Sequence, residues 1–172
     1  MALPGRTVSR TIIAFRAVNR RGAPGYDSSL QRHHLLPRQL LSRRCFGRIF
    51  ALMGRERVGF DDFRSNGLLL PANEEATLRT GMPLHRGPHR RYNEVVIARV
   101  GRIEEAWALG CPRNPEAALE DALMRLQLLQ TALRRQLLSD RRRVLLNRRD
   151  PLGTGFDFSE LDAMAEAIWT AG

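Results

Sequence analysis

The histidines of this chain are concentrated in two short stretches. All four lie there: His33 and His34 in LQRHHLLP, residues 30–37, and His85 and His89 in HRGPHRRYN, residues 85–93. Imidazole is the commonest side-chain ligand for zinc, nickel and similar divalent ions, and its pKa near neutrality also suits it to general base catalysis. The two stretches therefore predict a metal site combined with acid–base chemistry.

The spacing within each pair indicates how the histidines could divide the work. His85 and His89 are four residues apart, so both imidazoles could reach one ion, on a helical face or just ahead of a helix. A third ligand is then expected from the other pair. Adjacent residues of a strand point to opposite faces, so one of His33 and His34 would reach the metal and the other would be free to act as a base.

An asparagine could take part in the same chemistry. Asn66 stands between Ser65 and Gly67, just ahead of three leucines. In that setting an asparagine most often only forms a turn. Its amide could instead bond the backbone near the base histidine and fix the orientation of that ring. With a metal that neutralises phosphate and a base that deprotonates water, these residues would form a metal-dependent phosphodiesterase site.

Three segments together resemble the signature of a known family. HHLLP, NGLLLP and HRGPHRRYN, within residues 32–93, are similar to the AHH branch of the His-Asn-His and endonuclease VII nuclease superfamily. In that branch two histidines and a proline open the motif, an asparagine precedes a short apolar strand, and H-x-G-x-H-x-x-Y-N closes it. One departure is Arg32, which stands where the family name records an alanine, and which either touches phosphate or points outward.

The resemblance implies a role for each residue of the signature. His34 corresponds to the general base, and Asn66 corresponds to the central asparagine. His33, His85 and His89 correspond to the metal ligands, the latter two on the closing helix, although the roles of His33 and His34 could be exchanged. The resemblance also implies a bound divalent ion. Histidine-rich sites accept several ions, so Mg, Zn, Ni and Mn all remain open.

Three further residues complete the signature, namely Pro37, Tyr92 and Asn93. Tyr92 also begins the apolar stripe of a long predicted helix, so it could be a core residue alone. The resemblance implies hydrolysis by water that leaves a 5′-phosphate, on DNA without sequence specificity, with RNA as the open alternative.

The charge of the chain favours a nucleic-acid partner. There are 28 basic against 18 acidic residues, a net charge of +10, and every basic residue is arginine. Biased codon composition explains the choice of arginine but not the excess of cations. Arginine can clamp phosphate with two donors, so the excess is typical of a nucleic-acid-binding domain. The predicted phosphate contacts are the arginines beside the histidines: Arg32, Arg86, Arg90 and Arg91.

The elements that hold the histidines follow from the hydrophobic pattern. Pro37 disfavours helix just before it, so LQRHHLLP is predicted to be extended. Residues 38–54 show a helical pattern that Gly54 closes. A turn at residues 65–67 leads into a three-leucine strand that Pro71 ends, and the residues from 72 to 84 are predicted to be a polar loop.

Two long helices and two shorter segments surround that centre. One helix is predicted from Pro88 to Gly110, and the next begins with Asn114 as its cap and has leucines along one side. TIIAFRAV near the N-terminus is either a short strand or a helical turn. A short final helix is predicted from Ser159, with Asp162 completing a capping box.

These elements predict a mainly helical α+β fold. Its centre is a small ββα-metal core with a helical insertion between the strands and with C-terminal helices. The predicted organisation is a basic N-terminal arm over residues 1–28, the nuclease core over residues 29–110 and a helical extension over residues 111–172.

Two other classes of protein compete with the nuclease. One is a nucleic-acid-binding module in which all four histidines close a structural metal site. Such sites usually include cysteine, whereas Cys45 and Cys111 lie outside both stretches. The other is an inactive helical protein that uses residues 115–138 to oligomerise, although this stripe is more simply the cover of a small core. The oligomeric state itself is left open by the sequence.

The location and partners of the chain are expectations from resemblance and composition. No apolar run is long enough for a membrane span or a signal-peptide core, so a soluble protein is expected. Members of the family often form the C-terminal part of bacterial toxins that are neutralised by a dedicated immunity protein. An arginine-rich surface would bind an acidic immunity protein well, so the expected partner is acidic. The expected compartment is the cytoplasm of the producing or of the target bacterial cell. A specialised secretion system without a signal peptide could deliver the chain, or it could act as a free-standing intracellular nuclease.

Overall fold

A computed structural model describes residues 11–139 and 144–153, together with residues 163 and 167. Ser159 and Asp162, and so the predicted final helix start, lie outside the described residues. The described chain contains two strands, β1 (Leu30–His34) and β2 (Gly67–Pro71). Its α-helices are α1 (Gln39–Ser42), α2 (Gly47–Met53), α3 (Arg55–Val58), α4 (Phe63–Asn66), α5 (Glu74–Thr80), α6 (Arg90–Gly110) and α7 (Pro115–Leu137). The fold is α+β and mainly helical, as the sequence predicted.

The two strands form an antiparallel ribbon. Leu30 lies opposite Pro71 at one end, and His34 lies opposite Gly67 at the other. The next residue along, Leu35, donates its backbone N–H to the carbonyl of Asn66 at 2.8 Å. This register brings the histidine pair and the asparagine to the same end of the ribbon.

The insertion between the strands is helical but interrupted. The sequence predicted one helical pattern over residues 38–54, whereas the structure has α1, a 3-10 turn and α2. The break falls at Arg43, whose ψ of 121° is extended. Leu40, Phe46 and Ile49 are nevertheless buried in one core. The apolar spacing therefore predicted which residues are buried, although the helix is not continuous.

Two turn or loop predictions need correction. Residues 63–66 form the short helix α4, capped by the Asp62 side chain, rather than an isolated turn. The polar loop predicted over residues 72–84 is wrong in its centre, because α5 forms there. Asn73 caps α5 by accepting from Ala76 N at 2.8 Å, and Gly81 ends it with a φ of 71°. These local capping signals act even though α5 buries few residues.

The long helices α6 and α7 were predicted well. The Asn114 side chain accepts from Ala117 N at 3.1 Å and caps α7. A buried stripe on each helix joins the main core, with Tyr92, Val96, Val100, Ile103 and Trp107 on α6 and Leu123, Leu126, Leu129, Leu133 and Leu137 on α7. The start of α6 differs from the prediction, since the helix begins at Arg90 rather than at Pro88.

The N-terminal segment packs against the ribbon end. Ala14 forms an isolated bridge with Asp62, and a 3-10 turn follows over Phe15–Ala17, so TIIAFRAV combines both predicted conformations. Phe63 N donates to the carbonyl of Ile13 at 2.7 Å. The division of the chain at residues 28 and 110 stays a prediction. Among the described helices, none has the length and apolarity needed to cross a membrane.

Candidate metal centre and active site

Three of the four histidines meet in one cluster. The ring nitrogens of His33, His85 and His89 that could bind a metal all lie within 4.8 Å of one another. His33 comes from β1, and the other two come from the loop that leads into α6. His85 is fixed by its backbone N–H, which donates to the carbonyl of Pro71 at the end of β2, at 2.7 Å. The ribbon therefore positions two of the three histidines directly.

The loop histidines do not lie on a helical face. His89 is the N-cap of α6, with φ −103° and ψ 66°, and His85 precedes it. Gly87, between them, has a φ of 78° and turns the chain. The expectation that the closing helix carries both imidazoles is thus corrected: a compact turn brings them together.

The cluster has the distances and unpaired atoms of a metal site. His85 Nε2 and His89 Nε2 are 3.0 Å apart. Two nitrogens that bind one tetrahedral ion at about 2.0–2.1 Å lie roughly 3.3 Å apart, so little movement would be needed. Within the part of the chain that the structure describes, both ring nitrogens of His33, and Nδ1 of His85, are buried without a hydrogen-bond partner. Buried polar atoms are rarely left unpaired, and an ion bound through one nitrogen of His33 would give that atom a partner.

The electrostatics of the cluster favour neutral imidazoles. Burial, followed by the charges of His85, His89 and His34, holds the pKa of His33 well below its ordinary value. Burial, with His89 and His34, lowers the pKa of His85 to about 4. Burial also lowers the pKa of His89. A metal needs the unprotonated nitrogen lone pair, so the fold presents the three side chains in the form that binds an ion.

Asn93 fixes the orientation of the His89 ring. Its Oδ1 lies 3.0 Å from His89 Nδ1, one turn along α6. When Nδ1 donates to this oxygen, the lone pair of Nε2 faces the cluster. Hydrogen bonds of this kind to the second nitrogen are a regular feature of metal-binding histidines.

Tyr92 belongs to both the core and the site. It is only 2% exposed, and its hydroxyl donates to the Leu35 carbonyl at 2.8 Å. Its ring contacts that of His33 edge to face, with centroids 5.0 Å apart. Burial raises the pKa of Tyr92, so the phenol keeps its proton and remains a donor. This residue therefore ties α6 to the backbone next to His34.

His34 is held apart from the cluster. Its ring stacks on Phe15, with centroids 3.8 Å apart and planes 3° from parallel. It opens to a cavity of about 580 Å³ that Arg32, Arg38 and Asp61 help to line. Burial and the charge of Arg38 lower the pKa of His34, against the opposing charge of Asp61. His34 is thus an unprotonated imidazole that lies beside the cluster of three histidines but does not belong to it.

This separation bears on the closed structural site that the sequence left open. Among the described residues, the group that could hold a metal contains three histidines and not His34. Three protein ligands leave a coordination position available to water or substrate, which is the arrangement of a catalytic site. The closed four-histidine site is therefore not formed.

Asn66 lies at the centre of a buried backbone network. Its Oδ1 accepts from Leu36 N at 2.7 Å, and its Nδ2 donates to the carbonyls of Leu36 and Phe60, each at 3.2 Å. Gln130 on α7 approaches the same Oδ1 at 3.5 Å and donates to Val58 O. The asparagine therefore fixes the backbone that follows His34 rather than the imidazole ring itself.

The remaining signature residues surround these groups. Pro37 is buried, and its carbonyl accepts from Leu40 N at 3.0 Å at the start of the insertion. Arg32 is exposed and donates to the Phe15 carbonyl at 2.8 Å. Arg86, Arg90 and Arg91 are exposed around His89, where they line a groove.

Several neighbours of the site were not found from the sequence. Phe15, Arg38 and Asp61 surround His34, and Gln130 supports Asn66. None of them has a distinctive residue type or spacing, so no sequence signal marks them. Asn93 was recognised as part of the signature, but its bond to His89 was not foreseen.

A ββ ribbon followed by a helix, with a histidine cluster at their junction and a separate histidine beside it, defines the centre of a metal-dependent nuclease. Comparison with protein families agrees: residues 14–128 match the AHH family, described as a nuclease family of the HNH/ENDO VII superfamily with conserved AHH. The match spans more than half of the chain, which therefore belongs to this family. It is a metal-dependent endonuclease, and its substrate is nucleic acid. Comparison with curated proteins and with solved structures gave no match.

Proposed function

We propose that this endonuclease cuts DNA without sequence specificity, with His34 as the general base. The observation that carries the proposal is the division of the four histidines. Three form one cluster that could hold an ion, and the fourth is kept outside it by a ring stack on Phe15. A base must stay free of the metal to accept a proton, and His34 meets that condition.

His33, His85 and His89 would hold the divalent ion. When bound there, the ion would neutralise the phosphate and stabilise charge on the leaving oxygen. The donor set offers imidazole nitrogens, which suit zinc or nickel better than magnesium or manganese, since the latter prefer oxygen ligands. We therefore expect zinc or nickel to bind more tightly than magnesium or manganese.

His34 and Asn66 would have separate roles in the reaction. His34, unprotonated because its pKa is lowered, accepts a proton from the attacking water. The oxygen of that water bonds to phosphorus as the bond to the 3′-oxygen breaks. The 3′-oxygen takes a proton from solvent, which leaves a 5′-phosphate and a 3′-hydroxyl. Asn66 is a positioning residue, because it holds the backbone at Leu36, two residues beyond the base.

The arginines support a nucleic-acid backbone as the ligand. Arg86, Arg90 and Arg91 lie around His89, and Arg32 lines the cavity of His34. Contacts to phosphate carry no sequence information, so binding through them favours nonspecific cleavage. DNA is the proposed substrate, and RNA is the alternative that a parallel assay would reveal.

The biological role that we propose is that of an antibacterial toxin domain. The resemblance to the AHH branch implies this role, and a net charge of +10 would suit an acidic immunity protein. Delivery would use a specialised secretion system. Expression of the chain in bacteria should arrest growth, whereas expression of His34→Ala should not; equal growth of the two strains would contradict the toxin role.

The direct test is cleavage of plasmid DNA by the purified protein, with and without EDTA, beside the variant His34→Ala. We expect cleavage that needs a divalent ion, and a loss of roughly 10²- to 10⁴-fold in rate for His34→Ala, as is usual when a general base is removed.

A metal-binding measurement on the purified variants distinguishes the proposed base, His34, from a proposed metal ligand, His89. His34→Ala should bind zinc or nickel as tightly as the parent chain, and His89→Ala should lose metal first and activity as a consequence. Loss of metal from His34→Ala would refute its assignment as the base. An intact plasmid with every ion tried would refute the proposed DNA substrate.

A further inference from the structure

A groove of about 450 Å³ lies beside the metal centre and is lined by two distant parts of the chain. One part is the start of α6 with the loop before it, residues 86 and 88–92, which includes His89 of the cluster. The other is residues 145–149, which follow α7. The family match ends at residue 128, so this second part lies outside the matched segment.

The second wall is anchored in the core. Val144 is 1% exposed and Leu146 is 7% exposed, and both belong to the main hydrophobic cluster. Burying apolar side chains of this size stabilises the segment that carries them. The polar residues that follow them, 147–149, are therefore presented from a fixed backbone.

The same segment is bonded to the loop that carries His85. The Asn147 side chain donates to the carbonyl of Arg86. Leu84 N donates to Asp150 Oδ2 at 2.7 Å. Asn147 also accepts from Arg149 N at 2.9 Å, which shapes its own turn. Bonds on both sides of His85 fix the second wall relative to the metal centre.

Arg148 and Arg149 bring two more positive charges to the groove. Both are exposed, and within the described part of the chain neither guanidinium has a hydrogen-bond or ion-pair partner. The same holds for Arg86 and Arg90 on the other wall. The first turn of α6 contains no acidic residue that would repel a phosphate. A groove with this composition fits a chain of phosphates.

We infer that residues 145–149 form the second wall of the nucleic-acid groove, and that Arg148 and Arg149 bind backbone phosphates of the strand beside the scissile bond. This inference rests on the proposed function, since it places the strand next to His89 of the metal cluster. Arginine clamps phosphate with two parallel donors, and two adjacent arginines can bridge successive phosphates of one strand.

The test compares two double variants that remove the same charge. Arg148→Ala with Arg149→Ala alters the groove. Arg102→Ala with Arg113→Ala is the control, because both residues are exposed and neither lines the groove. Arg113 lies beyond the far end of α6, about 30 Å from its start at 1.5 Å per residue. Binding of a short DNA duplex is measured in the His34→Ala background, where cleavage does not interfere, at several salt concentrations.

We expect the groove variant to weaken DNA binding at least about tenfold near physiological salt. The slope of log K against log salt should fall by about 0.9 for each phosphate that an arginine no longer neutralises, hence by nearly 2, while the control keeps its slope. An equal effect of the two double variants, or no effect of the groove variant, would overturn the inference.

Hydrolysis of a small substrate tests whether the groove variant weakens DNA binding by displacing the loop that carries His85 and His89. Bis(para-nitrophenyl) phosphate has a single phosphate, which the metal centre would hold, and no second phosphate for Arg148 and Arg149, so its hydrolysis should be the same for the parent and for the groove variant. A parallel loss there would overturn the phosphate-contact assignment. If the parent cuts plasmid and the groove variant cuts it equally, the inference alone fails. If the parent neither binds nor cuts nucleic acid, the proposed function fails as well.

Discussion

The chemistry of the single residues depends on which nitrogen of each imidazole carries the proton. Asn93 decides this for His89, since its Oδ1 lies 3.0 Å from Nδ1 and leaves Nε2 for the cluster. His33 has no such partner among the described residues, where both of its nitrogens are buried and unpaired. The three histidines are therefore not equivalent, and the tautomer of His89 is the one that a neighbouring side chain controls.

Replacing Asn93 should weaken the metal site without removing a ligand. For Asn93→Ala we expect metal affinity to fall about 10- to 100-fold, which is typical when the partner of a metal-binding histidine is removed. Competition with a chromophoric chelator measures this affinity. Glu94→Gln, at the exposed neighbouring position, serves as the control. Unchanged affinity in Asn93→Ala would show that His89 needs no orienting partner.

Replacing Phe15 should change the rate rather than metal binding. The ring of His34 lies flat against Phe15, so Phe15→Ala releases the proposed base from its orientation. We expect a fall in kcat of up to about 10²-fold, the usual scale for a misplaced catalytic group, with unchanged metal affinity. Phe15→Tyr keeps an aromatic face and should recover most of the rate. If the alanine and tyrosine variants were equally slow, the stack would not be the cause.

Among the elements, the loop between α5 and α6 has the most demanding geometry. It leaves the end of α5 and passes the end of β2, where His85 N donates to the Pro71 carbonyl. It then brings His85 and His89 together before α6 begins. Gly87 makes this possible with a φ of 78°, in the left-handed region. A side chain with a Cβ is disfavoured there by roughly 1–2 kcal/mol.

Alanine substitutions at two glycines test whether the turn requires the left-handed backbone conformation of Gly87. A Cβ at Gly87 or at Gly101 would meet no atom within 4 Å, so only backbone conformation separates the two sites. Gly87→Ala should destabilise the protein by about 1–2 kcal/mol and weaken metal binding. Gly101→Ala, within α6, should stabilise it by about 0.5–1 kcal/mol and leave metal affinity unchanged. Urea unfolding and a metal titration measure both quantities. Equal effects of the two substitutions would contradict the role of the turn.

For the whole molecule, the site is a set of basic side chains that the fold keeps neutral. Burial is the main cause of the lowered pKa values of all four histidines. In the unfolded chain these groups would return to ordinary values near 6.5. Between the lowered and the ordinary pKa the unfolded chain binds more protons, so acid favours unfolding in that interval.

The metal-free protein should therefore lose stability as the pH falls below about 6.5, the ordinary histidine value, toward the pKa of about 4 for His85. Urea unfolding of EDTA-treated protein at pH 7 and at pH 5 measures the loss. His85→Ala lacks one of the buried bases and should lose less between the two pH values. A parent chain that is equally stable at both would contradict the lowered pKa values.

Much of the site could be predicted because its signals are local. Histidine type and spacing placed the two pairs, and Pro37 predicted the extended segment before it. Asn114 marked the start of α7 through a bond to a backbone N–H three residues on. Such signals act within a few residues, so they can be recognised from the sequence before any tertiary contact is known.

Only the tertiary structure decided which groups stand around those residues. It placed Phe15 on His34 and left His34 outside the cluster of three. It also bonded Asn147 and Asp150 to a loop 61 and 66 positions earlier in the chain. Contacts across such distances depend on how helices and strands pack, and no local spacing encodes them. The sequence thus determined the chemical groups and their immediate backbone, while the packing decided which histidine remained free and which arginines shared its groove.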